Sequence, residues 1–206
     1  MELLFLGTLS SGEVVVDRPN SHLHQGVLPL MSKALSQIKS SGRQYIEELI
    51  QFPSQIGLSE CVKTGPSDIV GFARRPGRIG YTRFVAQRIP EPCSTLAVVL
   101  RKEDHGDRYL VMTAYPGFLG VEPWDQKAND ATRAFWAKHA LVLEGEQAIC
   151  FQCDEGDGTC VMYDVVLCQE CIRSFKLRYP RLLMPLRAQK YLAGWGKIYY
   201  PCMLAE

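Results

Sequence analysis

The stretch CFQCDEGDGTCVMYDVVLCQEC, Cys150 to Cys171, holds two C-x2-C pairs separated by fourteen residues. Two thiolates on one tight turn can reach the same ion, and two such turns at this separation close a tetrahedral site. The spacing therefore predicts a zinc-ribbon-like module with Cys150, Cys153, Cys168 and Cys171 as ligands. Cys160, inside the gap, is an alternative for one of the four. Gly156, Asp157 and Gly158 supply turn residues, and Val165-Val166-Leu167 reads as a strand feeding the second pair. The bland alternative is a set of buried thiols acting as small hydrophobes, which needs both pairs to fall together by chance. Four thiolates leave no open coordination position, so such a zinc is structural. It would fold a module too small to hold itself together.

The bulk composition adds limits. A chain of 206 residues suits one ordinary domain plus a small appendage. A net charge of +1 gives no whole-protein field to attract nucleic acid or a membrane. No apolar run reaches the ~18–20 residues of a membrane span. The start, MELLFLGTLSSGE, reads as a first strand and not a signal peptide. The expected compartment is the cytoplasm, where paired cysteines favour metal over disulfides.

Along the chain, LLFLG and EVVV read as two short strands around a turn. Helical spacing predicts one helix over 29–38, ended by Ser40-Ser41-Gly42, and a second over 43–51, closed by Pro53. Strand patterns then cover 68–73, 80–88, 95–102 and 108–115. A third helix is expected over 129–139, capped by Asn129 or Asp130. The expected class is α+β, with N-terminal helices packed on an antiparallel β-meander. Residues 144–170 hold seven acids and no Lys or Arg, and residues 172–199 hold seven Lys/Arg and no acid. That shift places a boundary near 147, giving a first domain 1–147 and a cysteine module with a basic, aromatic tail over 148–206.

The stretch ARRPGRIGYTRFVAQR carries Arg74, Arg75, Arg78, Arg83 and Arg88 with no acid. Strand alternation puts Tyr81 and Arg83 on one face, and groups Tyr109, Val111, Thr113 and Tyr115 on one face of the later strand. An arginine, a threonine and a tyrosine on one sheet surface suit RNA cleavage without a metal. A 2′-hydroxyl attacks the adjacent phosphorus, a histidine serves as acid or base, and cationic and hydroxyl donors stabilise the developing charge. The bland alternative is an arginine-rich edge that guards the sheet against aggregation.

The order of elements, ending in LVMTAYP, resembles the superfamily of small RNases that includes barnase, the EndoU nucleases, the colicin tRNases and RelE toxins. Thr113-Ala114-Tyr115-Pro116 is similar to the TAYP-like end of a core strand in many toxin members. DRPNSHL, RIGYTRFV, LVMTAYPG and FWAKHALV also resemble a group of uncharacterised bacterial and phage-associated proteins. The resemblance covers about residues 1–147 and not the cysteine module. It implies that Thr113, with Tyr115, supplies a hydroxyl of the late strand and that Arg83 or Arg78 supplies the cation. It implies His22 as the catalytic histidine, with His24 in competition and His139 as a rival beyond the sheet. Arg74, Arg75 and Tyr81 become candidates for holding RNA. His22 precedes the helices, where a helix-borne histidine is more usual.

Two functions follow. The first is a metal-independent endoribonuclease of toxin, phage-defence or mobile-element type, leaving a 2′,3′-cyclic phosphate and held in check by an antitoxin or other protein partner. The second is a non-catalytic adaptor that binds nucleic acid or protein through the zinc module and the tail.

Overall fold

The computed structural model describes residues 4–17, 21–78, 80–104, 106–119, 121, 128–143, 148–162 and 164–178. The first half runs β1 (Phe5–Thr8), β2 (Val14–Val16), β3 (His22–Leu23), a 3-10 turn, α1 (Leu28–Leu35), β4 (Tyr45–Gln51), β5 (Gly57–Ser59), β6 (Cys61–Lys63), β7 (Val70–Arg74) and β8 (Tyr81–Val85). The second runs β9 (Glu91–Cys93), β10 (Thr95–Lys102), β11 (Tyr109–Pro116), α2 (Asp130–Trp136), β12 (His139–Val142), β13 (Cys160–Met162), β14 (Val165–Leu167) and α3 (Gln169–Arg178). Among the described residues, the regular structure is mostly strand, with few helices.

The chain forms two compact units, each discontinuous in sequence. Unit 1 is Met1–Cys61 with Pro90–Gly120, and unit 2 is Val62–Ile89 with Val121–Glu206. The boundary expected near 147 falls inside unit 2.

Unit 1 is built on a sheet of order β1-β2-β11-β10-β4, with β3 also paired to β11. Its core packs Met31, Ala34 and Leu35 of α1 with Ile46, Ile50, Leu96, Val98 and Leu100 of the sheet. Gly7 lets helix and sheet close up. It adopts φ +151, and a Cβ there would stand 3.1 Å from the Ser32 backbone.

Three sequence expectations change here. Residues 43–51 are not a helix, because β4 occupies 45–51. The sequence YIEELIQ satisfies a helical stripe and an alternation at once, and its partner decides. β10 pairs β4 in continuous antiparallel register, from Thr95↔Gln51 to Arg101↔Tyr45. Ser41 and Gly42 just before it take positive φ, 50 and 71, so the chain enters β4 through a turn. Next, the strands do not form one meander. β7 pairs β8 in one sheet and β10 pairs β11 in another. Finally, the alternation of β11 inverts midway. Val99 faces Thr113 but Leu100 faces Val111, so Met112 is an extra, bulged residue. Tyr109 and Val111 point into the core before the bulge and Ala114 after it. Thr113 and Tyr115 are therefore on the opposite face from Tyr109 and Val111.

Unit 2 is a sheet of order β13-β14-β7-β8-β12-β6. Its apolar clusters gather Phe72, Phe151, Val165, Leu167 and Ile172 on one side, and Val62, Val85, Ala140 and Val142 on another. Helix α2 begins where expected, with the Asn129 side chain accepting the Thr132 N–H at 3.0 Å. Among the described residues, no helix is long and apolar enough to cross a membrane.

Glu13 ties the β1–β2 turn to the segment after α1. Its carboxylate accepts from the Ser40 hydroxyl, and Ser10 donates to the Ile38 carbonyl at 2.7 Å. Hydrogen bonding by Ser11 and then Ser40 holds the Glu13 carboxyl below its ordinary 4.5 against the opposing effect of burial. A carboxyl depressed in the folded state stabilises above its unfolded pKa, and that stability is lost as pH falls through the folded value. Glu13→Gln is expected to be less stable than the parent at neutral pH, with the gap closing below 4.5. Urea unfolding across that range checks it, and a gap independent of pH would contradict it.

Candidate metal centre

The sulfurs of Cys150, Cys153, Cys168 and Cys171 all lie within 4.8 Å of one another. A tetrahedral ion with metal–sulfur bonds of about 2.3 Å sets its sulfurs roughly 3.8 Å apart. The four thiols are therefore gathered closely enough to hold one ion.

The local backbone is shaped for this. After Cys153 the chain turns through Asp154, at φ 66, and the Gly156 N–H points at the Cys153 sulfur, 3.3 Å away. The Cys171 N–H points at the Cys168 sulfur, at 3.4 Å. Backbone N–H groups aimed at sulfur favour the thiolate. Gly156 allows a close approach of the two turns, since a Cβ there would lie 3.3 Å from both Cβ and Sγ of Cys168, tighter than an ordinary van der Waals contact. Cys168 immediately precedes α3, so its sulfur sits at a helix N-terminus, which favours negative charge.

The thiols differ in acidity. Burial pushes the Cys153 thiol up, but backbone hydrogen bonds from Glu155 and Gly156 outweigh it and bring it down to about 7. Burial first, and then the neighbouring thiols, push Cys171 up. Burial also raises Cys150. Crowded thiols resist losing more than one proton unless a cation is among them. An all-sulfur donor set in a partly buried, N–H-lined cage fits such a cation. Cys160 is not one of the four. It lies on β13 opposite Leu167.

The cage is continuous with unit 2's sheet and is not an appendage. β14 pairs β7 through Val165↔Phe72, and the Ile149 N–H donates to the Arg74 carbonyl at 2.8 Å. The Arg74 guanidinium reaches Asp154 of the first turn at 3.0 Å. Tyr81 packs on Phe151 between the first two cysteines, ring centroids 4.7 Å apart. Two residues expected to hold RNA thus brace the cage. Gly156 is one of the turn residues expected from the sequence, whereas Asp154 and Phe151 are supports that the spacing alone does not name. The tight turn demanded by C-x2-C was the available signal.

The remaining expected site residues are divided between the units. In unit 2, the Arg83 guanidinium donates to the carbonyls of Trp136 at 2.9 Å, Ala137 at 2.7 Å and His139 at 3.4 Å. It caps the C-terminal end of α2, where a cation is favoured. His139 stacks on Phe135 at 3.9 Å, with Nδ1 2.9 Å from the Phe135 carbonyl. Arg75 is half-buried and Arg78 exposed, both on the turn between β7 and β8. Arg88 bonds Asp68 through two contacts of 2.9 Å. So at least three of the five arginines have carboxylate or carbonyl partners within unit 2.

In unit 1, β3 lies beside β11, with His22 paired to Thr113. The Thr113 hydroxyl donates to the His22 carbonyl at 3.0 Å, and the exposed imidazole belongs to the same strand pair. The Tyr115 hydroxyl donates to the Phe118 carbonyl at 3.1 Å. His24 accepts the Gly26 N–H at 3.3 Å and caps the 3-10 turn. Register places Arg101 of β10 on the sheet face that carries Val99 and Thr113, an arginine the sequence reading passed over. The tail residues from 179 onward, with Cys202, and Trp124 lie outside the described residues.

Scans of protein-family models, of curated proteins and of solved structures find no match to this chain.

Replacing Gly156 with alanine is expected to push the two cysteine turns apart and weaken metal binding by about tenfold or more, in line with disruption of groups that position ligands. Competition with a colorimetric chelator measures it. Parental affinity in Gly156→Ala would show that the close approach does not serve the metal.

Proposed function

We propose that this chain is a zinc-dependent binding protein, in which a closed four-thiolate zinc centre shapes unit 2 for recognition of a partner. The observation that carries the reading is the convergence of four sulfurs within 4.8 Å. Zinc suits the donor set, since it favours thiolates in a tetrahedron and has no redox chemistry of its own. The protein contributes the cage. N–H groups orient the sulfurs, Arg74 and Asp154 fix the first turn, and Phe151 and Ile172 bury the site's apolar flank. With every coordination position taken by sulfur, the ion gives shape rather than activating water. Recognition by the basic, aromatic segment after the second cysteine pair is part of the same proposal. The arginines of unit 2 support it indirectly, because Arg74, Arg83 and Arg88 serve the fold.

A second reading is favoured by the pairing of His22 with Thr113. An exposed imidazole beside a strand hydroxyl, with Arg101 on the same sheet, suits RNA cleavage in unit 1 by the acid–base route expected of a small RNase. Here Arg101 would take the cationic role first assigned to Arg83 or Arg78.

One experiment separates the two. Purified protein is incubated with several RNAs in excess EDTA and the product ends are analysed. The binding reading predicts no cleavage by the parent protein, and EDTA should release one zinc per chain and loosen unit 2. Cleavage to 2′,3′-cyclic phosphates that disappears in His22→Ala would overturn it in favour of the RNase.

A further inference from the structure

Strand β4 ends the sheet of unit 1, and its outer edge is open. At its two ends, the Lys102 N–H donates to the Gln44 carbonyl at 2.8 Å and the Phe52 N–H to the Ser94 carbonyl at 2.7 Å. Antiparallel ladders alternate, so the even-numbered residues of this stretch bond β10. The N–H and C=O groups of Tyr45, Glu47, Leu49 and Gln51 then point away from the sheet. Among the described residues, no strand pairs with that edge.

The usual edge defences are sparse. β4 contains no proline, no lysine and no bulge; its register to β10 is unbroken. Two large side chains on the same residues are out in solvent, Tyr45 at 54% exposure and Leu49 at 39%. Between them stands exposed Glu47. Its neighbour across the ladder is Val99, which offers no charge. The diagonal cation, Arg101, is held by Asp104 at 3.1 Å. Glu48 is already paired with Arg43 at 2.8 Å. A cation for Glu47 therefore has room on the open side.

We propose that the open edge of β4 docks an extended segment of a partner protein that carries Lys or Arg at alternate positions. The segment would add to the sheet as an extra strand. Backbone hydrogen bonds to the four outward residues supply binding, and a basic side chain opposite Glu47 supplies register. The aliphatic stems of the neighbouring basic side chains, two residues to either side, would cover Tyr45 and Leu49. A second copy of β4 fits poorly, because the full-length antiparallel register sets Glu48 against Glu48, and like charges directly opposite are destabilising. This goes beyond the zinc reading. β4 holds no metal ligand and lies in unit 1, so metal loading and strand docking can fail separately.

The test uses the full chain loaded with zinc and a fluorescein-labelled peptide alternating lysine with valine, long enough to span β4. Anisotropy should show binding that weakens with salt, and little binding of the matching glutamate–valine peptide. Glu47→Lys should weaken binding by about tenfold or more, as expected for reversing a complementary charge. Leu49→Pro removes one outward N–H and leaves the ladder to β10 intact, and it should weaken binding similarly. If Leu49→Pro loses its folded circular dichroism, Glu47→Lys decides alone. The proposal is overturned if the parent does not bind the lysine peptide, binds both peptides equally, or is matched by Glu47→Lys. Self-association in sedimentation that is abolished by Glu47→Lys would also overturn it, making the occupant a second copy.

Discussion

Four sulfurs drawn within 4.8 Å of one another are the constraint on which unit 2 depends. Two thiolates about 4 Å apart repel by about 4 kcal/mol at an effective dielectric of about 20. A cage of four is untenable as anions alone and favourable around a cation. The surrounding structure follows from holding that cage in place. β14 carries Val165, Val166 and Leu167 into the sheet, all buried, and delivers Cys168 to the start of α3. The first turn is fastened to β7 by a backbone hydrogen bond and by the Arg74–Asp154 pair. The arginines of the β7–β8 region look like an RNA-binding run in the sequence. In the fold, Arg74, Arg83 and Arg88 meet a carboxylate, a helix end and another carboxylate.

Unit 1 rests on a different constraint, the central position of β10. It is paired along its length on both sides, to β4 and to β11. A single bulge at Met112 decides which face Thr113 and Tyr115 occupy. Without it, Thr113 would share the face of Tyr109 and Val111, which are fully buried. With it, the Thr113 hydroxyl meets the His22 carbonyl on the other face. The same sheet ends abruptly at β4, where a regular edge faces solvent with an acid at its centre. A central strand satisfied on both sides leaves its neighbour as the one place where the sheet can grow on that flank.

Features encoded locally were legible in the sequence. The cysteine quartet was, because each pair is set by one tight turn. So were α1, α2 with its Asn129 cap, and the strands β1, β2, β7, β8, β10 and β11, which depend on short periodicities and turn residues. Features encoded by distant partners were not. YIEELIQ reads equally as a helical stripe or an alternating strand, and only β10, more than forty residues later, settles it. Local pattern also could not say that β7–β8 and β10–β11 enter separate sheets, since strand pairing is non-local. The roles of the arginines hinged on Asp154, Asp68 and the end of α2, none adjacent in sequence. The bulge leaves no local mark, because Leu-Val-Met-Thr-Ala alternates acceptably in either phase.

The most direct test of the account is the absorption spectrum of the protein refolded with cobalt, which replaces zinc and reports its ligands. The account predicts one cobalt per chain, with the intense visible bands of a tetrahedral ion and strong sulfur-to-metal charge transfer, both lost in Cys153→Ser. No stoichiometric binding, or the weak bands of an octahedral oxygen-ligated ion, would contradict it.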